Sequence, residues 1–476
     1  MDAETTPPPR PQAHGGRDLT TGPIARTLML FALPTLGTNI LQSLNGSVNS
    51  IWVGRFLGES ALAATSNANL VMFLMLAAVF GFGIAATILV GQNMGRRDIE
   101  AARRVMGTAV GSFAILSLLV SVIGYLASPA ILHLLATPPD AARLAEAYLR
   151  VIFIAMPAAF LMTVITMGMR GTGDSMTPFI IMILNVVLDS GLNPVFIRGL
   201  FGAPQMGIAG SATATAIASY VSLAVLIAMI YGRDLTVRLR GRELRWLLPD
   251  PALLKVIVAK GIPMGLQMFV ISFAGLTLMG LVNHAGTDVV AAYGVTLQLW
   301  TYIQMPALAV GAAVSAMAAQ NVGAGLWPRV DAVTRSAIVI NLAITAALIL
   351  LVTLVDRAML ALFLGSSSPA LPIARHIHLV ASWSFLMFGV TMVIFGTVRS
   401  TGAVVAPLVI LAIAMFPVRL GAVFALRPFI GIEALWWTMP ISSLASMLMA
   451  LIYYRAGTWR KVHMGTVSPR ETAPQP

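Results

Sequence analysis

The sequence predicts an all-α polytopic membrane protein, with about twelve transmembrane helices arranged as two pseudo-symmetric six-helix bundles around a central cleft. Three observations predict it. Of the 476 residues, 58% are hydrophobic and only 10% are charged, with mean hydropathy +0.86. Apolar runs of about 20 residues, the length a bilayer core demands, recur along the whole chain. Motifs of the first half return in the second at a nearly constant spacing. A soluble domain is about 45–50% apolar and about 25% charged, so this chain lacks the polar surface to solvate a globule. The short alternating segments of a β-barrel are absent from it.

Taken in order, spans are expected at 27–51, 61–90, 101–126, 144–168, 176–197, 208–231, 257–282, 290–318, 334–355, 377–398, 403–425 and 433–454. Residues 1–22 are rich in Pro, Gly and charge and read as a disordered cytoplasmic tail. No small-residue cleavage site follows them, so no signal peptide is expected. The first bundle then occupies 23–231, a basic cytoplasmic linker 232–256, the second bundle 257–456 and a second cytoplasmic tail 457–476. Basic residues test this division. With the amino terminus cytoplasmic, 22 of the 30 Lys and Arg fall on the cytoplasmic side. Seven fall on the other side (Arg55, Arg143, Arg150, Arg198, Arg357, Arg375 and Arg427) and one, Arg419, inside a span. That bias follows the positive-inside rule, so the net charge of +12 reports membrane orientation rather than a nucleic-acid partner. The chain has no cysteine, which excludes disulfides and thiolate metal sites.

Pro34 returns as Pro263, Arg170 as Arg399, Thr172 and Gly173 as Thr401 and Gly402, and Pro178 as Pro407, each 229 residues on. Gln92-Asn93 returns as Gln320-Asn321, and Leu62-Ala63-Ala64 as Val290-Ala291-Ala292, each 228 on. With six spans per repeat, both halves enter the membrane in the same direction, as in parallel-repeat transporters. Two such lobes enclose a cleft that can open to either side.

Most acids lie in loops or tails; Asp189 lies well inside a span. An ionisable group at membrane depth costs at least about 2.5 kcal/mol and marks a functional site by default. Asn185 is four residues earlier, on the same helix face. Together they offer a carboxylate and an amide oxygen, hard ligands for Na⁺. Without a metal, a carboxyl held out of water is a proton acceptor. Thr215 in the next span adds a hydroxyl. The competing reading is that Asp189 is tied to backbone or to Asn49 and only orients helices. At the repeat spacing Asn185 falls on Ala414 and Asp189 on Val418, so ion coupling is expected in the first lobe alone.

These motifs resemble the MATE family (multidrug and toxic compound extrusion), in the larger group that includes lipid and polysaccharide flippases. The matching stretches are Val53-Gly54 with Ala61-Leu62-Ala63-Ala64, and Gly91-Gln92-Asn93-Met94-Gly95. Arg170-Gly171-Thr172-Gly173-Asp174 with Pro178, Asn185 through Asp189, and Asn193-Pro194 follow. Gly207-Ile208-Ala209-Gly210-Ser211-Ala212 with Thr215, then Gly261-Ile262-Pro263 and Gln320-Asn321-Val322-Gly323-Ala324-Gly325, complete the pattern. The resemblance implies twelve helices in two bundles and cation-coupled extrusion of organic cations. It also implies a cation site at Asp189, Asn185 and Thr215, completed in the family by an aspartate of span 1. Here Asn49 occupies that position. The loss of one acid weakens affinity for Na⁺, which follows ligand charge, and leaves Asp189 without a like-charged neighbour. Coupling to one proton is therefore expected over Na⁺ at Asp189 and Asn185.

Polar residues of spans 1, 7 and 8 are candidate cleft residues: Asn39, Gln42, Asn45, Gln267, Tyr293, Gln298, Trp300 and Gln304. Aromatic faces suit organic cations. Pro34 and Pro263 are expected to kink spans 1 and 7. No prosthetic cofactor is expected beyond H⁺ or Na⁺. The expected partners are the bilayer and small organic substrates, and the expected state is a monomer in a bacterial inner membrane. A flippase for lipid-linked or amphipathic substrates is the alternative. An intramembrane lipid-modifying enzyme is remote, because no paired carboxylates or facing histidines share a span. No ring-forming filter motif favours a channel.

Overall fold

The computed structural model describes residues 16–134, 139–365 and 367–464. The first lobe comprises α1 (Ile24–Leu57), α2 (Glu59–Gly95), α3 (Ile99–Leu134), α4 (Pro139–Gly171), α5 (Met176–Arg198) and α6 (Ile208–Gly232). The second comprises α7 (Pro251–Asn283), α8 (Thr287–Gly323), α9 (Trp327–Leu364), α10 (Ala370–Ala381), α11 (Ser384–Arg399), α12 (Val405–Ile413), α13 (Arg419–Ile430) and α14 (Glu433–Ala456). Among the described residues eleven helical stretches are long and apolar enough to span a membrane, twelve when the bent pair α10–α11 counts as one. None of these residues forms a strand.

Two spans are not simple helices. The expected span 377–398 is α10 and α11, bent by 45°. Ser384 Oγ donates to the Ala381 carbonyl at 2.6 Å, a side-chain bond that competes with the helical ladder. The span 403–425 is α12 and α13 joined by a π-helical turn, Ala414–Val418, that contains Pro417. Pro34 and Pro263 both lie inside continuous helices, α1 and α7.

The described residues next to each terminus, from Gly16 and up to Met464, are docked on the helices. Residues 1–15 and 465–476 lie outside the described residues, but Leu19 is fully buried. Its N–H donates to Gln320 Oε1 at 3.0 Å, and its carbonyl accepts from Asn321 Nδ2 at 3.1 Å. Arg17 N–H donates to the Gly173 carbonyl of the other lobe. At the carboxyl end Trp459 is also fully buried, and Thr401 Oγ1 donates to its carbonyl at 2.9 Å. A single apolar side chain in each segment supplies the anchor that composition hides. The linker is likewise docked on α3: Arg103 pairs with Glu243 at 3.1 Å and Arg104 with Asp250 at 2.5 Å. The helix α7 starts inside the stretch read as linker, because Asp250 caps it and Pro251 fits its first turn.

The lobes meet along α2, α7, α8 and α1 near the terminal face. The contact is itself pseudo-symmetric. Gln92 Nε2 donates to the Ser400 carbonyl at 2.7 Å, and Gln320 Nε2 to the Gly171 carbonyl at 2.9 Å. Gly171 and Ser400 are 229 residues apart, so one bond is the repeat of the other. Backbone approach is close: a Cβ on Gly95 would sit 1.9 Å from the Gln320 carbonyl oxygen, and one on Gly323 2.0 Å from that of Gln92. The side chains of Leu62, Ala63 and Ala64, in the matching motif, lie outside the described residues.

One helix belongs to both lobes. The first half of α1 (Leu28, Phe31, Ala32) packs into a cluster with Val310, Val314 and Met317 of α8 and Val333 of α9. Its second half packs on α5 of its own lobe.

Candidate functional site

The side chain of Asp189 is fully buried on α5 and accepts four hydrogen bonds. Oδ2 accepts from Asn45 Nδ2 at 2.8 Å and Asn49 Nδ2 at 2.9 Å, both on α1. Oδ1 accepts from Thr215 Oγ1 of α6 at 2.9 Å and Asn193 Nδ2 of α5 at 3.1 Å. Asn193 Nδ2 also donates to Asn49 Oδ1 at 2.9 Å, closing a ring of amides around the acid. Three helices thus converge on one carboxylate.

The energetics of this cluster rest on neutral donors. Withdrawing a carboxylate from water costs several kcal/mol. A hydrogen bond to a charged group contributes about 1.5–3 kcal/mol, so four offset that cost without a cation. Two acceptors remain spare: Asn45 Oδ1 and Asn193 Oδ1 are buried without a donor. Rotation of either amide presents an oxygen to an acid proton or a small cation. Among the described residues no group of three or more His, Asp or Glu is placed to hold a metal.

Of the residues expected at the cation site, Asp189, Asn49 and Thr215 come together. Asn185 does not bond Asp189; its Nδ2 reaches Ser222 Oγ of α6 at 3.4 Å. The amide that does bond the acid from α5 is Asn193, four residues in the other direction. Its signal was the same spacing that singled out Asn185. Asp189 is not the only enclosed acid either. The helix α9 runs on to Leu364 and carries Asp356, 2% exposed and held by Arg375 Nε at 3.0 Å.

The expected cleft residues divide. Asn45 belongs to the Asp189 cluster. Tyr293 and Trp300 are buried in the second lobe, edge-on to each other at 6.2 Å, with Tyr293 stacked on Trp436 at 5.6 Å. Gln267 is buried and accepts from Arg399 Nη2 at 2.6 Å, so it braces α7 against α11. Gln42 and Gln298 are exposed, and Asn39 and Gln304 half-buried. Between α1, α8 and α9 lies an apolar cavity of about 520 Å³ lined by Leu36, Ile40, Tyr302, Met305, Pro306 and Leu348 among others.

Two repeated lobes joined at one face, with a helix shared between them and an enclosed acid in each, define a polytopic membrane transporter rather than an enzyme. The MatE family model matches residues 34–195 and again 263–424. The two matches start 229 residues apart, the spacing of the internal repeat. The chain belongs to this family of multidrug-efflux transporters. It is 36% identical to the probable multidrug resistance protein YoeA of Bacillus subtilis over 438 residues, 92% of this chain and 94% of that protein. An outward-facing multidrug resistance MATE family transporter has the same fold, with TM-score 0.85 over 93% of this chain and 98% of its own, at 20% identity. The Vibrio cholerae MATE transporter VcmN in its bent form aligns with TM-score 0.83 over 92% of this chain and 97% of its own, also at 20% identity.

Proposed function

We propose that this protein exports small organic, mainly cationic, compounds by antiport against protons. It does so as a monomer in the bacterial plasma membrane with both termini cytoplasmic. The observation that carries the reading is the buried carboxylate of Asp189, held by four neutral donors and by no cation, unlike Asp356 with its arginine. One acid exchanges one proton. The donors turned toward it are nitrogens and a hydroxyl, whereas Na⁺ requires converging oxygens. Membrane siting follows from the apolar spans, and the drug-exporting role draws support from YoeA-like relatives. The basic bias of the terminal face favours the orientation.

The helix α1 links the acid to the lobes. A proton on Asp189 removes an acceptor from Asn45 or Asn49, on the half of α1 that belongs to the first lobe. The other half is embedded in the second lobe. A shift in that bond pattern therefore biases how the lobes sit against each other, which is the requirement for alternating access.

The test is uptake of a fluorescent organic cation into inverted membrane vesicles. An imposed pH gradient, acid inside, is expected to drive accumulation, and an imposed Na⁺ gradient at constant pH is expected to drive none. Uptake that ignores the pH gradient would overturn the reading.

Asn49→Asp is expected to change the ion. A second carboxylate about 3 Å from the first raises the ligand charge and draws hard cations. Taking a Na⁺ dissociation constant of about 10 mM, 100 mM salt stabilises the variant by about 1.4 kcal/mol. A melting-temperature rise of roughly 2 °C with NaCl over choline chloride is expected in the variant, and none in the wild type. Equal shifts in both proteins would show that Na⁺ already binds without the second acid.

A further inference from the structure

The second lobe encloses a charge of the opposite sign at nearly the same place. The repeat positions of Asn185 and Asp189 are Ala414 and Val418, the two ends of the π-helical turn, and the next residue is Arg419. Isolated π-turns inside helices concentrate at functional sites. Arg419 is 6% exposed. Its Nε donates to Ser442 Oγ of α14 at 3.0 Å. Among the described residues no carboxylate pairs with Arg419. Its terminal nitrogens make no hydrogen bond there, and they are not among the atoms sealed off by protein. The guanidinium tip therefore keeps a little accessible surface and no partner.

A buried cation with one neutral partner carries a desolvation cost that nothing around it offsets. An anion would offset it. A cavity lies further along the same helix. Arg419, Val423 and Arg427 follow at four-residue spacing on one face of α13, about 12 Å from first to last. Val423 and Arg427 line a cavity of about 310 Å³ whose walls include Leu281 and His284 of α7 and Leu435 of α14. Its rim is basic and its walls are apolar. Glu433, between the lining residues Ile432 and Ala434, is engaged by His376 at 2.7 Å. The volume lies at the small end for organic ligands.

We propose that the second lobe carries an anion site in which the Arg419 guanidinium, held by Ser442 through Nε, binds the carboxylate of a small amphipathic acid. Arginine presents a fork of donors that matches an oxyanion, which makes Arg419→Lys a conservative test of charge and Arg419→Gln a test of its loss. The site lies outside the Asp189 cluster, and its assay uses no ion gradient, so its failure leaves the coupling reading untouched.

Equilibrium dialysis of radiolabelled salicylate against the full-length protein in phosphatidylcholine nanodiscs tests it. Salicylamide, the neutral analogue, is expected to bind at least tenfold more weakly. Arg419→Gln is expected to lose salicylate at least tenfold and Arg419→Lys about threefold. Retained binding of a fluorescent organic cation in the same Arg419→Gln preparation shows that the variant is folded. Equal affinity for salicylate and salicylamide, or wild-type salicylate affinity in Arg419→Gln, would overturn the proposal. Displacement of salicylate by phosphatidylglycerol in the wild type would make a lipid phosphate the occupant and overturn the carboxylate assignment.

Discussion

Asp189→Asn is expected to abolish proton-driven export and to leave a folded protein in the membrane. The two halves of that expectation have separate causes. Asparagine is isosteric, but it places an N–H where Oδ2 now accepts from Asn45 and Asn49. Asn45 Oδ1 is buried without a donor, so rotation of that amide supplies the missing acceptor. The cluster stays satisfied at a net cost of about 1 kcal/mol, and the melting temperature in detergent moves by only about 2 °C. Coupling, in contrast, needs a group that changes charge. A pH gradient of one unit supplies about 1.4 kcal/mol per proton, enough for a tenfold accumulation of a monovalent cation exchanged one for one. Vesicles with the wild type are expected to approach that ratio and vesicles with the variant to stay near unity. Wild-type accumulation by Asp189→Asn would remove Asp189 from the mechanism, and Asp356 would then be the enclosed acid to test.

The span count, the repeat and the burial of Asp189 were legible in the sequence because each is a one-dimensional property. Hydropathy reports spans, a constant spacing reports duplication, and an acid inside an apolar run reports a buried charge. The partners of that acid were only partly legible. Asn185 and Asn193 stand at equal distances along α5, and the rotation of α5 against α1 and α6 decides which one meets the carboxylate. Sequence spacing contains no such rotation. Asn45 was read as cleft-lining for the same reason: Asn45 and Asn49 are one turn apart on α1 and both face Asp189. The bend between α10 and α11 left no trace, because no proline or glycine stands at it; the side-chain bond there is that of Ser384 to the Ala381 carbonyl. Asp356 was hidden because hydropathy ends a span at the first charges, whereas the helix continues through them, with Arg375 on α10 as partner.

The glycine pair at the lobe contact gives the second large effect. An alanine at Gly95 would put Cβ 1.9 Å from the Gln320 carbonyl oxygen, and one at Gly323 2.0 Å from that of Gln92. Both obstacles are backbone, so no side chain can swing aside. The helices must separate, and with them the bonds from Gln92 to Ser400 and from Gln320 to Gly171. Overpacking of this kind costs about 1–3 kcal/mol per site. Two sites bias the lobes away from closure at the terminal face by about 2–6 kcal/mol, or roughly 30-fold or more in population at 1.4 kcal/mol per decade. A transporter that must close each face in turn then loses one of its two states. Gly95→Ala/Gly323→Ala is expected to lower export at least tenfold. The natural chain has no cysteine, so spin labels at Arg96→Cys and Leu326→Cys report the lobe distance without background. That distance is expected to lengthen in the double variant. Gly275→Ala is the control: it adds a methyl to α7 where nothing lies within 4 Å, and both readouts are expected to stay at wild type. An unchanged distance together with full export in the double variant would mean that this contact is incidental to the transport cycle, and the coupling of Asp189 to lobe movement through α1 would have to act elsewhere.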